Sequence, residues 1–192
     1  MSLMPALKIG IWNAWIFMSV FLVQMLVIMF ADKGIRERTH IPIDARRNKL
    51  ERYIGIIGNS IWLLALGYSV FLPLQPATIW FYIGFSVWLI GLILISIATV
   101  NFITTPAYQL MTKGAYSFSR HPMYLATFFI CLGSGIAAVS WLFIFFSAIM
   151  TLCFYQEGLI EERYCLDRYG NAYLDYINRT PRLIGVPKKY DE

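Results

Sequence analysis

The chain has 192 residues, of which 58% are hydrophobic, 17% are aromatic and only 14% are charged. Soluble domains carry about a quarter charged residues, so this composition excludes an ordinary soluble domain and predicts an integral membrane protein. The formal net charge is +5. Because the basic residues lie beside apolar runs, where positive charge sets membrane topology, we expect no nucleic-acid partner.

The first apolar run covers residues 7–31. It is long enough to cross a bilayer, which needs about 20 residues, and too long for a signal peptide, so we interpret it as a retained helix. A polar loop follows over residues 32–52, interrupted by Pro42, and we expect it to touch anionic lipid head groups. Its basic residues are Lys33, Arg36, Arg38, Arg46, Arg47, Lys49 and Arg52.

Residues 53–112 contain no charged side chain. A proline-containing break at residues 72–76 divides this stretch into two predicted spans, 53–72 and 77–100. Gly84 and Gly91 lie seven residues apart, on one face of the second of these spans. Small residues on one helix face favour close helix packing, with the approach of a ligand as the alternative.

A fourth apolar run begins at Pro122 and ends near Val139, and Ser140-Trp141 turns the chain into a fifth run that ends near Gln156. Both runs are short for a span. The pattern is therefore compatible with two straight helices or with a bent hairpin that enters and leaves the same face.

The basic residues predict which side of the membrane each loop occupies. All Lys and Arg except Lys8 lie in residues 31–52, 101–120 and 157–192, which five spans place on one side, and the eleven acids lie there too. The positive-inside rule makes that side cytosolic. The predicted fold is an all-α integral membrane helix bundle, one domain over residues 1–192, with about five transmembrane helices and a cytosolic helical tail.

The three cysteines, Cys131, Cys153 and Cys165, show neither Cys-x-x-Cys nor Cys/His spacing. We therefore expect no disulfide framework and no metal site.

The first candidate site group is Arg120-His121-Pro122, with Tyr124 close behind. Proline suits the first position of a helix and pushes the preceding residue out of helical geometry. Arg120 and His121 are therefore predicted at a helix N-terminus, where an anion is favoured. The plainer alternative is an interfacial anchor of arginine, histidine and tyrosine.

The second group lies in the tail. Glu161 and Glu162 are adjacent on a predicted helix that ends at Gly170, so we expect one to face the bundle and the other to face water. An acid near the bilayer requires a cation, which is either an arginine of the tail or an ammonium group of a ligand. Tyr173 and Tyr176 follow on one helix side, and we expect them to pack at the interface or to stack on a purine.

Together these motifs resemble the isoprenylcysteine carboxyl methyltransferase and phospholipid methyltransferase superfamily. The resemblance covers about residues 102–187, whereas the first hundred residues match only as generic spans. Its signature is Gly-x-Tyr-x-x-x-Arg-His-Pro-x-Tyr, then Glu-Glu, then Tyr-Gly-x-x-Tyr-x-x-Tyr. The matching residues are Gly114, Tyr116, Arg120, His121, Pro122, Tyr124, Glu161, Glu162, Tyr169, Gly170, Tyr173 and Tyr176.

The resemblance implies a membrane enzyme that uses S-adenosylmethionine, with three spans in residues 1–100 and a cofactor-binding core in residues 101–192. The implied cofactor-binding residues are Tyr116, Arg120, His121, Pro122, Tyr124, Glu161, Glu162 and Tyr173. The implied catalytic residues are Arg120, Glu161 and Arg182, and Arg179 or Arg182 would steer an anionic substrate group. The acceptor would be a lipophilic molecule or membrane lipid.

The acceptor class stays open on these residues. A carboxylate, as in isoprenylcysteine, needs only an arginine to position it, whereas a phospholipid amine must lose a proton to a base such as a site acid or His121. An NADPH-dependent sterol reductase shares the Arg-His motif, but Met123 and Leu125-Ala126 replace the polar residues expected around it. A non-enzymatic membrane protein is the third alternative, although the uncharged spans offer no polar pathway.

Overall fold

The computed structural model describes residues 7–39, 47–106 and 108–185. Within these ranges the regular structure is helical, and one isolated bridge pairs Asn13 with Pro73. The helices are α1 (Trp15–Met29), α2 (Lys33–Thr39), α3 (Lys49–Phe71), α4 (Ile79–Thr104), α5 (Ala115–Phe118), α6 (Pro122–Ala137), α7 (Trp141–Tyr169) and α8 (Asn171–Arg179).

The all-α membrane bundle predicted from the sequence is confirmed. Helices α3, α4 and α7 are long and apolar enough to cross a bilayer, and α1 and α6 are shorter apolar helices of 15 and 16 residues. Large apolar side chains face outward on the surface of the bundle, among them Leu63, Ile79 and Leu152, each about two-thirds exposed. Lipid is the environment in which such a surface is stable.

Helix α1 is shorter than the apolar run that contains it. Residues 7–14 run along the turn after α3, where Lys8 N donates to Phe71 O at 3.0 Å and Ala14 N donates to Leu72 O at 2.8 Å. The amide of Asn13 is buried and donates to Lys8 O and Val70 O, both at 2.6 Å. The expectation of one helix from residue 7 was therefore wrong by two turns, because these backbone groups bond across the turn instead.

The predicted breaks between helices are confirmed and have clear causes. Asn48 and Glu51 form a reciprocal capping box at the start of α3. Thr78 caps α4, and the hydroxyl of Ser140 caps α7 by accepting from Phe143 N. The basic loop before α3 contains the short helix α2, and Pro42 lies outside the described residues.

The closest helix contact is between α4 and α6, and glycines make it possible. A Cβ on Gly91 would lie 2.8 Å from Ile130 N, and a Cβ on Gly133 would lie 2.8 Å from the Cα of Trp88. Gly84 also faces α6, at Ala137. The packing interpretation of Gly84 and Gly91 is thus confirmed. This contact fixes α6, whose first turn carries the site.

Helix α7 is continuous over 29 residues. At 1.5 Å per residue it is about 44 Å long, whereas the hydrocarbon core is about 30 Å thick. The acids of the tail therefore lie on an extension of the last span. Helix α6 runs unbroken through Gly133 and Gly135, so residues 122–156 form a helical hairpin of α6 and the first part of α7.

We predict that Gly91→Ala lowers the stability of the protein, because the added methyl group would clash with the backbone of α6. Overpacking of this kind costs about 1–3 kcal/mol. Gly67→Ala is the matched control, since nothing lies within 4 Å of a Cβ at Gly67. Thermal unfolding in detergent should show a lower midpoint for the first variant only; equal midpoints would contradict this role of Gly91.

Candidate functional site

The two polar groups of the sequence meet through backbone hydrogen bonds. Arg120 N donates to Pro181 O at 3.0 Å and His121 N donates to Arg182 O at 3.2 Å. The hydroxyl of Ser119 donates to the same Arg182 oxygen at 3.0 Å. The segment after α8 thus lies against the turn before α6, and the expected meeting of loop and tail is seen in the structure.

The carboxylate of Glu162 lies at the centre of this meeting point, and the residue is 5% exposed. Arg182 donates to it from Nε at 2.9 Å and from Nη2 at 2.7 Å. His121 Nε2 lies 3.1 Å from its Oε1, and Arg120 Nε lies 3.4 Å from the same oxygen. The two contacts from Arg182 are charge-assisted and bidentate, the strong class of hydrogen bond, whereas Arg120 makes an ion pair only. The pKa of Arg182 is raised because its hydrogen bond to Glu162 favours the charged guanidinium.

Glu161 belongs to the same cluster but is partly exposed, with 28% of its side chain accessible. The hydroxyl of Tyr124 donates to its Oε1 at 2.5 Å, and its Oε2 lies 3.4 Å from His121 Nδ1. The two acids differ as expected: Glu162 faces the bundle, and Glu161 is the more exposed of the two. The imidazole of His121 reaches between them, so one residue contacts both carboxylates although their side chains diverge from the helix.

The imidazole of His121 is buried and touches one acid at each nitrogen. Burial alone would lower its pKa, but hydrogen bonds and charge attraction from Glu161 and Glu162 outweigh burial, so the pKa is raised. Gly158 makes the space for the ring, because a Cβ there would lie 3.1 Å from His121 Nε2.

Arg120 differs from the other cations of the site. Its side chain is 9% exposed, yet its buried Nε and Nη1 have no hydrogen-bond partner among the described residues. A buried guanidinium is stable only where an acceptor satisfies its donors, so unsatisfied donors point to an additional anionic or polar group.

The remaining predicted residues lie around this cluster. Pro122 is the first residue of α6, as predicted. Tyr116 is buried, and its carbonyl oxygen accepts a hydrogen bond from Tyr176 OH at 2.5 Å. Tyr173 is buried with its ring centroid 5.8 Å from that of Tyr176. These rings pack within the fold and tie α8 to α5; contact of Tyr173 with adenine stays a prediction.

Arg179 is not part of the cluster. It is exposed on α8, where its Nε donates to Asp175 O at 3.2 Å. Of the two arginines considered for an anionic substrate group, Arg182 is the one that the structure places beside Glu162.

Two aromatic residues of the site were missed in the sequence. Tyr155 OH accepts from Arg182 Nη1 at 2.7 Å, and its ring lies 5.0 Å from the guanidinium carbon. Phe154 stacks on Tyr124 at 5.0 Å between centroids. Helical spacing could have indicated Tyr155. It precedes Glu162 by seven residues, which is about two helical turns, so both side chains lie on the same face of the helix.

The structure thus defines a membrane helix bundle with a buried cluster of cations and acids where its last span leaves the apolar region. Residues 76–172, about half of the chain, match the family model of phospholipid methyltransferases. The chain belongs to the phospholipid methyltransferase family.

Curated relatives match parts of the chain. The chain is 28% identical over 81 residues to the protein-S-isoprenylcysteine O-methyltransferase of Saccharomyces cerevisiae, covering 42% of the chain and 33% of the relative. It is 29% identical over 82 residues to the enzyme of that name from Xenopus laevis, covering 42% and 28%. It is 31% identical over 102 residues to the nickel-cobalt-cadmium resistance protein NccN of Alcaligenes xylosoxydans xylosoxydans, covering 48% and 46%. The chain spans less than half the length of each.

The raised pKa of His121 gives a test of the cluster. Protonated His121 stabilises the fold between the two acids; this contribution is fully present below the unfolded pKa, about 6.5, and is lost as the pH rises through the higher folded pKa. We expect His121→Asn to lower the unfolding midpoint more at about pH 6 than at about pH 9, measured in detergent against wild type. A loss of equal size at both pH values would show that the imidazole contributes only packing.

Proposed function

We propose that the protein is an S-adenosylmethionine-dependent methyltransferase of a lipophilic acceptor, with its site at the cytosolic face of the membrane. In this proposal residues 101–192 form the cofactor-binding core and residues 1–100 contribute the first three spans. The observation that carries the proposal is the buried guanidinium of Arg120, whose unsatisfied donors lie beside the carboxylate of Glu162.

The residues present fit the chemistry of this cofactor. Its amino-acid part has a carboxylate, for which Arg120 offers buried donors, and an ammonium, for which the partly exposed Glu161 offers an acceptor. Glu162 already has three cationic neighbours, so we assign it the task of holding Arg120, His121 and Arg182 in place. This assignment refines the expectation in which either acid binds the ligand.

When bound, S-adenosylmethionine would supply an electrophilic methyl group for transfer to the acceptor. The protein residues need to align the two molecules and keep water away, which supplies most of the rate in a reaction of this kind. Tyr124 is suited to alignment because its ring is stacked between His121 at 5.4 Å and Phe154 at 5.0 Å.

The two acceptor classes make different demands on these residues. A carboxylate acceptor becomes a neutral ester, loses no proton and needs a guanidinium to orient it, a task for Arg182. An amine acceptor must give its proton to a base before or during the transfer. Glu161 with Tyr124 is the acid–hydroxyl pair that the structure offers for this. The similarity to protein-S-isoprenylcysteine O-methyltransferases supports the first, and the family model supports the second.

We predict that the purified protein in detergent binds S-adenosylhomocysteine, which retains the carboxylate and the ammonium. Arg120→Gln should weaken binding at least about tenfold, or 1.4 kcal/mol, because the buried charge-assisted contact is lost. Arg52→Gln, an exposed arginine on α3, is the control and should bind as wild type does. Isothermal titration calorimetry measures both; tighter binding of NADPH than of the adenosyl ligand would refute the proposal.

The acceptor class is tested by offering radiolabelled methyl donor together with either a prenylated cysteine or a native lipid extract. Label on the prenylcysteine alone identifies a carboxylate acceptor, and label in the lipid alone identifies a lipid acceptor. The Arg120→Gln variant, run in parallel, must lose the label in whichever arm shows it.

A further inference from the structure

Helix α5 leads from the end of α4 to the turn that carries Arg120 and His121, and it has four residues only. A helix of one turn is not stable by itself, because too few hydrogen bonds offset the cost of nucleation. Its N-cap position is Gly114, which has no side chain to accept a hydrogen bond from the first turn. The position of α5 must therefore be fixed by contacts with other parts of the chain.

Asn101 of α4 supplies the missing cap. Its side-chain oxygen Oδ1 accepts a hydrogen bond from Ala115 N at 2.9 Å, across 14 residues of chain. In most helices this acceptor belongs to the residue that directly precedes the first turn. Here it comes from the last turn of a neighbouring helix, so the bond fixes the start of α5 relative to the end of α4.

The backbone at Gly114 leaves room for the Asn101 side chain. A Cβ at residue 114 would overlap that side chain, at 2.6 Å from both its Cγ and its Nδ2. Gly114 also has a φ angle of 62°, which other residues rarely adopt. The glycine of the Gly-x-Tyr-x-x-x-Arg-His-Pro motif is thus explained by its backbone angle and by its contact with Asn101, a residue outside the motif.

A small apolar cluster lies beside this hydrogen bond. Ala98 of α4 is buried together with Ala115 and Tyr116 of α5. Ala98 precedes Asn101 by three residues, so both lie on the face of α4 that meets α5. Apolar contact is not directional, so it holds α5 against α4 without fixing where along α4 it lies. The hydrogen bond of Asn101 supplies that direction.

Ala115 is connected in turn to the site. Its carbonyl oxygen accepts a hydrogen bond from Ser119 N at 3.2 Å. The hydroxyl of Ser119 is buried against the tail, where it donates to Arg182 O at 3.0 Å. Arg120, whose buried guanidinium has unsatisfied donors, is the next residue. The residue that bonds Asn101 through its N–H therefore bonds the turn of the site through its carbonyl group.

We infer that Asn101 is a positioning residue of the cofactor site: its side-chain oxygen fixes α5 and thereby the guanidinium of Arg120. A group that meets a charged part of a ligand must be held within about 0.5 Å, and residues that do not touch the ligand supply this precision. The effect of Asn101 on cofactor binding rests on the proposed function. The ordering of residues 115–121 by Asn101 does not.

Variants of Asn101 separate the oxygen from the rest of the side chain. Asn101→Leu has a similar size and removes the acceptor, whereas Asn101→Asp keeps an acceptor oxygen at the same place. Thr104→Val is the control, since the hydroxyl of Thr104 is exposed and donates to Val100 O of its own helix at 2.7 Å. Asn101→Ala also removes the acceptor and takes the place of Asn101→Leu if that variant does not fold.

Amide hydrogen exchange in detergent, followed by mass spectrometry, measures the ordering without any ligand. We expect Asn101→Leu to speed up exchange in peptides covering residues 115–121 about fivefold, because loss of a helix cap changes a local opening equilibrium by about this factor. Exchange in α3 should stay as in wild type, and Asn101→Asp and Thr104→Val should stay within about twofold of wild type throughout.

Three results of this experiment would overturn the inference. Unchanged exchange at residues 115–121 in Asn101→Leu would show that Asn101 does not order the turn. An equal increase in α3 would show that Asn101 contributes only to overall stability. Exchange as fast in Asn101→Asp as in Asn101→Leu would show that the acceptor oxygen is not the group responsible.

Isothermal titration calorimetry with S-adenosylhomocysteine then connects the ordering to the site. Asn101→Leu should weaken binding at least about fivefold, in proportion to the loss of the ordered turn, and Asn101→Asp and Thr104→Val should bind as wild type does. Wild-type affinity in an Asn101→Leu protein whose exchange is faster overturns the positioning of Arg120. A wild-type protein that binds no adenosyl ligand refutes the proposed function, and the exchange result still decides whether Asn101 orders residues 115–121.

Discussion

The arrangement of the site depends on one carboxylate that is shared by three cations. Glu162 is buried and receives Arg182 through two hydrogen bonds, while Arg120 and His121 approach its Oε1 from the turn before α6. Without it, three positive groups would face one another in a region of low dielectric. Glu162 is thus what allows arginines from two distant parts of the chain to occupy one buried site.

The apolar part of the bundle places this carboxylate. Glycines let α4 and α6 approach at backbone distance, which fixes the first turn of α6 and with it His121. Helix α7 brings Glu161 and Glu162 to the same height because it continues without a break beyond the apolar region. Because residue 158 is a glycine, no side chain at this position keeps the imidazole of His121 away from α7. The packing of the apolar helices therefore determines the positions of the charged groups in the site.

Much of this could be predicted from the sequence, for identifiable physical reasons. The helices could be predicted from the apolar runs and from the breaks at Pro73, Pro76 and Ser140. Backbone groups in lipid must bond within their own helix, and a helix cap depends on neighbouring residues, so both signals lie in short stretches of sequence. The meeting of the Arg-His-Pro turn with the tail followed from charge, which confines both to one membrane side.

Other features could not be predicted because they depend on distances between helices. The contact of His121 with both Glu161 and Glu162 was not predicted, since an angle of about 100° between neighbours on a helix does not say how far an opposing ring reaches between them. The prediction that the first helix begins at residue 7 was wrong because residues 7–14 form hydrogen bonds to a turn some 60 residues away.

The backbone bonds between the turn before α6 and the segment after α8 have a consequence for biosynthesis. Ser119 is joined to Arg182 across 63 residues of chain. At roughly 5–20 residues per second, a ribosome needs several seconds to make that stretch, so α6 enters the bilayer before the partners of Arg120 and His121 exist. During insertion Arg120 remains an ordinary positive charge beside an apolar helix, which is the kind of signal that orients a span. The imidazole of His121 gains the acids that favour its charged form only when α7 has been made. Both residues become members of a buried cluster when the later segment arrives.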